Sequence, residues 1–211
     1  MRRLELLPIL LIAFSSESEK LGVGIAYGMR NIAVPLKSSF VMAAAGGVAT
    51  LLSMLLGQRI AYYMPTQLAT IAGGGIIVGF GVWTIVEALR SFTPRRKMAA
   101  TPGSRPGALK RLFSVAEDPA SADRDSSGEI DVKEVWLLAI ALSLNNVTNG
   151  IGSGMVRLNP VLTAVAVMIF SMVLLWAGLA AGHYGERVLG SFAGVVSGVL
   201  LIAVGIYSIR M

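Results

Sequence analysis

Six apolar segments follow one another along the chain, and charged residues or proline flank each of them. They lie near residues 5–28, 38–57, 68–89, 135–156, 161–181 and 189–209. Segments of about 20 apolar residues are long enough to cross the hydrocarbon core of a bilayer as helices. The pattern therefore predicts an all-α polytopic membrane protein with six transmembrane helices.

The first segment differs from the others because polar residues interrupt it. Its apolar run ends at Phe14, and apolar residues resume at Leu21 only after the polar stretch SSESEK. Arg2 and Arg3 before a short apolar run are also typical of a secretory signal peptide. No small-x-small cleavage pattern follows Phe14, and the internal repeat described next favours a transmembrane helix.

The two halves of the chain repeat one another. The stretch GIAYGM at 24–29 matches GIGSGM at 150–155, and GVWTI at 81–85 matches GIYSI at 205–209. A nearly constant offset over several segments indicates duplication. Three spans per half would make the second half enter the membrane from the opposite side, which predicts two inverted three-helix repeats. We expect the repeats at 1–90 and 135–211, joined by a hydrophilic linker at 91–134.

Composition and charge fit this architecture. The chain is 55% hydrophobic and 14% charged, with no Cys and a single His, so disulfides, thiolate metal sites and multi-histidine sites are excluded. Lys and Arg concentrate in the linker, which the positive-inside rule places in the cytoplasm with both termini outside. Arg2 and Arg3 oppose this orientation. We expect the protein to lie in the cell membrane, surrounded by lipid, and to bind no nucleic acid. The sequence is compatible with a monomer and with a homo-oligomer.

Two polar clusters lie at membrane depth. An ionised side chain there costs about 2.5–3.5 kcal/mol on insertion scales, and such residues usually serve a function. Hard oxygen ligands of this kind suit Mg²⁺, Ca²⁺ or Mn²⁺, which makes the clusters a candidate transport site. The candidates are Ser15, Glu17, Glu19, Ser143, Asn145, Asn146 and Asn149.

A structural role is the alternative for these clusters. Glu17 and Lys20 are three residues apart and could neutralise each other, while the asparagines could bond across helices. A GxxxG pair follows each cluster, Gly24/Gly28 in the first segment and Gly150/Gly154 in the fourth. We therefore expect these two helices to cross with their glycines at the contact.

The linker ends in the stretch DRDSSGEIDVKE at 123–134, which fits the twelve-residue EF-hand loop and predicts a Ca²⁺ site. Gly128 holds position six, where the loop turns sharply. The alternative is an acidic turn in which Asp131 caps the next helix and Glu134 completes a capping box. The candidate ligands are Asp123, Asp125, Ser127, Glu129, Asp131 and Glu134.

The stretches GVGIAYGMRNIAVP at 22–35 and ADRDSSGEIDVKEVWLLAIALSLNNVTNGIGSGM at 122–155 resemble the MntP-like manganese efflux pump family, and within it the sporulation membrane protein (YtaF) branch. The resemblance implies a six-helix inverted repeat of the lysine-exporter superfamily and export of Mn²⁺. In it, Glu19 stands where the family has an intramembrane Asp, and Asn145 stands where the pumps have another.

These observations favour a transporter of divalent cations that exports Ca²⁺ or Mn²⁺. No catalytic constellation is present in the sequence, so an enzyme is not expected. The alternative is a non-transporting membrane protein of the sporulation type, with a structural or partner-binding role.

Overall fold

The computed structural model describes residues 2–91, 122–123 and 127–183, together with single positions and short runs between 195 and 209. The described chain is all-helical apart from connections and one isolated β-bridge between Ala33 and Glu129. The described positions from 195 to 209 are also helical, within the sixth predicted segment. The long helices are α1 (Arg2–Met29), α2 (Leu36–Tyr62), α3 (Thr66–Ser91), α4 (Val132–Met155) and α5 (Pro160–His183).

Four helices of the described chain are long and apolar enough to cross a membrane: Leu36–Tyr62, Thr66–Val86, Val132–Met155 and Pro160–Gly182. Many of their large apolar side chains, including Leu52 and Val161, are exposed on the outside of the protein. An apolar exterior of this extent is typical of a lipid-facing surface. The chain is a multi-pass helical membrane protein.

Helix α1 has 28 residues and would be about 42 Å long at 1.5 Å per residue, enough to cross a bilayer. Helix α1 is not among the four apolar helices above because the charged residues Glu17, Glu19 and Lys20 lie in its middle. Two of these three charged residues, Glu17 and Lys20, are at most 1% exposed. The charges of α1 therefore face the protein interior, as expected for functional or paired residues at membrane depth.

The glycines of α1 pack against α5. A Cβ placed on Gly24 would lie 2.3 Å from Leu175 O, and one on Gly28 would lie 2.9 Å from the Cα of Gly182. Conversely, a Cβ on Gly178 would lie 3.0 Å from the Cα of Gly24. The expectation that Gly24 and Gly28 contact the fourth segment was wrong, because α5 carries its own GxxxG pair and lets the two backbones touch.

The glycines of α4 pack against α2 in the same manner. A Cβ on Gly150 would lie 1.8 Å from Ser53 Oγ, and one on Gly154 would lie 2.2 Å from Met54 O. A Cβ on Gly57 of α2 would in turn lie 2.3 Å from Ile151 O. The expected contact of these glycines with the first segment was therefore also wrong. Instead, α1 packs against α5, and α4 packs against α2.

The order of these contacts gives the relative direction of the helices. Gly24 contacts the neighbourhood of Gly178 and Gly28 that of Gly182, so residue numbers rise together and α1 runs parallel to α5. On α2 and α4, residue 46 lies beside residue 146 and residue 54 beside residue 154, so this pair is also parallel.

Because the backbones touch at Gly24, we expect Gly24→Ala to destabilise the protein. The added methyl would press on backbone atoms of α5 at 2.3 and 2.8 Å, and overpacking of this kind costs about 1–3 kcal/mol. Gly22→Ala is the matched control, since its Cβ would meet nothing within 4 Å and alanine favours a helix. Thermal unfolding in detergent measures both. Equal melting temperatures for the two variants would contradict the α1–α5 contact.

Candidate transport site

The polar centres of α1 and α4 meet inside the protein. Asn145 Nδ2 donates a hydrogen bond to Glu19 Oε2, and Asn146 Nδ2 donates one to Glu17 Oε1 at 2.9 Å. The predicted approach of these two helices at their polar residues is therefore confirmed, although their glycines face other helices. Two adjacent amides of α4 reach two carboxylates of α1 because Glu17 and Glu19 both turn toward α4.

Glu17 is part of a buried ion pair. Lys20 Nζ contacts Glu17 Oε2, three residues back on the same helix, and both side chains are almost completely buried. A buried charge is tolerated when it is paired and hydrogen-bonded, and Glu17 has both a cation and an amide as partners. The two charges cancel, so the pairing expected under the structural alternative exists.

Glu19 is the other acidic residue of the cluster. Its Oε1 is buried without a hydrogen-bond partner among the described residues, while Oε2 accepts from Asn145. With Glu17 paired to Lys20, Glu19 is the carboxyl group of the cluster without a cationic partner among the described residues, and it lies beside the neutral amide of Asn145. A carboxylate in such surroundings attracts a cation, because few other groups compensate it.

Several further polar atoms are buried without a partner in the described part of the chain. Because almost all buried polar groups in proteins are hydrogen-bonded, several buried polar atoms without partners indicate that water, an ion or a ligand binds there. These groups are rich in oxygen, the element that Mn²⁺, Mg²⁺ and Ca²⁺ prefer. The atoms are Ser15 Oγ, Asn146 Oδ1, both side-chain atoms of Asn149, and Ser153 Oγ.

Ser143 differs from the other candidates. Its hydroxyl donates to Ala139 O of its own helix at 2.6 Å, and its side chain is only partly buried. The structure thus gives this serine a partner within α4. No group of three or more His, Cys, Asp or Glu side chains forms a metal cluster among the described residues. Any ion at this site would rest on one unpaired carboxylate and neutral oxygens.

Sequence reasoning missed three residues at the site. Gly46 of α2 lies against it, since a Cβ there would be 2.9 Å from Asn146 Nδ2 and 3.5 Å from Glu17 Oε1. Ser53 Oγ lies 3.3 Å from Asn146 O, and Ser153 is fully buried two turns beyond Asn146. The adjacent glycines at 46 and 47 were a signal for close packing, but nothing in the sequence names α4 as the partner of α2.

The linker loop docks on the connection between α1 and α2. Ala33 N donates to Gly128 O at 2.8 Å, and Ile130 N donates to Ala33 O at 2.9 Å. Ser38 Oγ donates to Ile130 O at 2.8 Å, and Ile130 itself is fully buried. These contacts join the start of α4 to the end of α1 on one face of the protein.

Within the loop, Asp123 accepts hydrogen bonds from the N–H groups of Ser127 and Gly128, both at 3.0 Å. Gly128 has φ +78°, the left-handed conformation that position six of the predicted loop requires. Asp131 caps α4 by accepting from the N–H groups of Lys133 and Glu134 at 2.8 Å. This confirms the predicted helix cap, while Asp125 lies outside the described residues. Glu129 contributes its backbone to the bridge with Ala33.

Known proteins similar to this chain include relatives that are named as metal transporters. The model of the family described as "Mntp: Putative manganese efflux pump" matches residues 112–209. "Probable sporulation protein YtaF" of Bacillus subtilis (strain 168) is 28% identical, covering 98% of this chain and all of the relative. "Putative manganese efflux pump MntP" of Bacillus velezensis is 26% identical, covering 96% of this chain and 93% of the relative. No solved structure matches the chain. By these matches the chain is similar to the MntP-like family, among whose members are relatives named YtaF and MntP.

Proposed function

We propose that this protein exports a divalent metal cation and that Glu19 is the charged group of its transport site. The observation that carries the proposal is the buried Glu19 carboxylate, which lies between α1 and α4 with one oxygen on Asn145 and the other unpartnered among the described residues. Ser15, four residues away on the same helix face, adds a second orphaned oxygen. Mn²⁺ is the first candidate, since the family match and several relatives bear the name of manganese efflux pumps.

An inverted repeat would suit this function. The parallel pairs α1–α5 and α2–α4 support it, because short connections make α1 antiparallel to α2 and α4 antiparallel to α5. Helices α1 and α4 would then cross the membrane in opposite directions. Glu19 and Asn145 are 126 residues apart, the same offset as Gly24 and Gly150, so they are equivalent positions that meet between the halves. Transporters of this plan bind their substrates at such an interface.

The side on which an exported cation would leave follows from the orientation of the chain in the membrane. The Lys and Arg residues of the linker favour a cytoplasmic location for the linker, with both termini outside. A cation that enters from the cytoplasm would then leave on the side of the α2–α3 and α4–α5 connections. The protein performs no covalent chemistry in this account.

The Ca²⁺ site of the linker loop stays a prediction. Its support is the conformation of Gly128 and the two hydrogen bonds that Asp123 accepts. The contacts of the loop also fit a mechanical role, because Asp131 starts α4 and the loop backbone joins the α1–α2 connection.

A non-transporting role in sporulation is the second candidate function. The observation that favours it is the name of the Bacillus subtilis relative, which aligns along 98% of this chain. The site itself adds a reason, since Asn145 provides an amide where the resemblance to the pumps places a second carboxylate. One net negative charge binds a divalent cation more weakly than two.

Uptake into inverted vesicles decides between the two functions. Vesicles that contain the purified protein and an internal Mn²⁺-sensitive dye should fill faster than protein-free vesicles when Mn²⁺ is added outside. Ca²⁺ and Mg²⁺ are tested in the same way, and competition with Mn²⁺ ranks the ions. If no divalent cation enters above the protein-free rate under an imposed proton or sodium gradient, the transporter proposal is lost and the second candidate stands.

A further inference from the structure

One face of α4 changes character at Asn146. Positions 138, 142, 146, 149 and 153 are three or four residues apart and therefore share one side of the helix. Before Asn146 this side carries Leu138 and Leu142, both buried and apolar. After it come Asn149 and Ser153, both polar and at most 1% exposed.

The apolar part of this face lies on the side of the linker and is closed. Leu138 and Leu142 belong to one buried cluster with Tyr27 of α1 and Ile130 of the linker loop. The backbone bridge between Ala33 and Glu129 covers the same end. Tight apolar packing of this kind leaves water and ions no partners.

The polar part of the face runs toward the opposite side of the membrane. Asn146 Oδ1, both side-chain atoms of Asn149 and Ser153 Oγ are buried without partners in the described chain. These residues extend over about 10 Å, at 1.5 Å per residue of helix. Three successive orphaned groups on one helix face, starting beside the Glu19–Asn145 contact, need water or an ion to satisfy them.

We propose that this face, from Asn146 through Asn149 to Ser153, lines a hydrated half-path that connects the Glu19 site to the side of the α4–α5 connection. The part of the proposal that concerns the cation rests on the proposed function, whereas water access along the path does not. Amide and hydroxyl oxygens can replace part of the water shell of a divalent cation without adding charge that would trap it. Ser153 would be the outermost oxygen of this path.

Labelling of single cysteines tests the path without a transport assay. The chain has no cysteine, so each introduced thiol is unique. Ser153→Cys and Asn149→Cys are exposed to a cationic, membrane-impermeant methanethiosulfonate from either side of oriented vesicles. Thr163→Cys is the matched control, because Thr163 is fully buried near the same side but donates its hydroxyl to Asn159 O at 2.8 Å.

Exposed positions report the two sides. Arg157→Cys marks the side of the α4–α5 connection, and Lys133→Cys marks the side of the linker. We expect Ser153→Cys and Asn149→Cys to react from the Arg157 side at least about tenfold faster than Thr163→Cys, since thiol reactivity follows access. Mn²⁺ should slow the reaction at Asn149→Cys.

Several results would overturn the path. Silence at both positions while Arg157→Cys reacts would mean that the protein satisfies these groups internally. Faster reaction from the Lys133 side would reverse its direction, and equal labelling of Thr163→Cys would indicate general loosening. Because Ser153→Cys and Asn149→Cys are tested separately, misfolding of one variant does not remove the test. The size-exclusion elution volume shows whether each variant is folded. If both variants are labelled as expected but the protein takes up no Mn²⁺, the proposed function is contradicted and the path is not. If the protein takes up Mn²⁺ but neither variant is labelled, the path is contradicted and the proposed function is not.

Discussion

Replacing Glu19 with glutamine should nearly abolish transport of divalent cations while leaving the protein folded. The variant keeps the shape and the contact with Asn145 but removes the one carboxyl group of the cluster that has no cationic partner among the described residues. Loss of a charged ligand worth roughly 3 kcal/mol lowers affinity about a hundredfold. The initial rate of Mn²⁺ uptake into inverted vesicles, measured over a range of Mn²⁺ concentrations, gives this change.

The exchange of two residues supplies a sharp control. In Glu19→Gln combined with Asn145→Asp, the carboxylate moves to the facing position on α4, and the new amide at position 19 can donate a hydrogen bond to it. We expect this double variant to recover uptake to within about tenfold of wild type, since the charge stays in the same contact. Wild-type uptake by Glu19→Gln alone would contradict the assignment of Glu19.

Replacing Lys20 with methionine should strongly destabilise the protein. Methionine is of similar length, but it leaves the fully buried carboxylate of Glu17 with Asn146 as its remaining partner among the described residues. Removing one partner of a buried ion pair costs about 3–5 kcal/mol, because an uncompensated charge stays buried. Thermal unfolding of the detergent-solubilised protein, followed by tryptophan fluorescence, measures the loss.

The neutral double variant tests the reason for that loss. Lys20→Met combined with Glu17→Gln removes both charges and keeps an acceptor for Asn146, so it should regain most of the stability. Glu17→Gln alone should be destabilised as Lys20→Met is, since it buries an unpaired ammonium group. A Lys20→Met protein as stable as wild type would mean that the pair contributes nothing to the fold.

The sequence predicted the helices of this fold well because each long apolar segment must be helical in a bilayer. Segment two was expected at 38–57 and the helix is Leu36–Tyr62; segment four was expected at 135–156 and the helix is Val132–Met155. The repeat and the matched polar residues also predicted that Glu19 and Asn145 would meet.

The sequence did not predict which helices pack against one another. A glycine pair such as Gly24/Gly28 identifies the face of a helix that packs closely, but several helices carry such pairs and any of them can complete the contact. The partner was α5, so α1 approaches α4 through its polar side chains and not through its glycines. Likewise, the docking of Ile130 and Glu129 on Ala33 depends on backbone groups, which leave no pattern of side chains in the sequence.

The anomalous scattering of manganese tests the central claim most directly. Crystals of the protein grown or soaked with Mn²⁺ and measured at the manganese absorption edge should show an anomalous peak between α1 and α4. We predict that this peak lies within bonding distance of a Glu19 oxygen and an oxygen of Asn145, Asn146 or Ser15, and that it disappears in Glu19→Gln crystals. A peak found only at the linker loop, with the Glu19 site empty at Mn²⁺ concentrations that saturate uptake, would contradict the account.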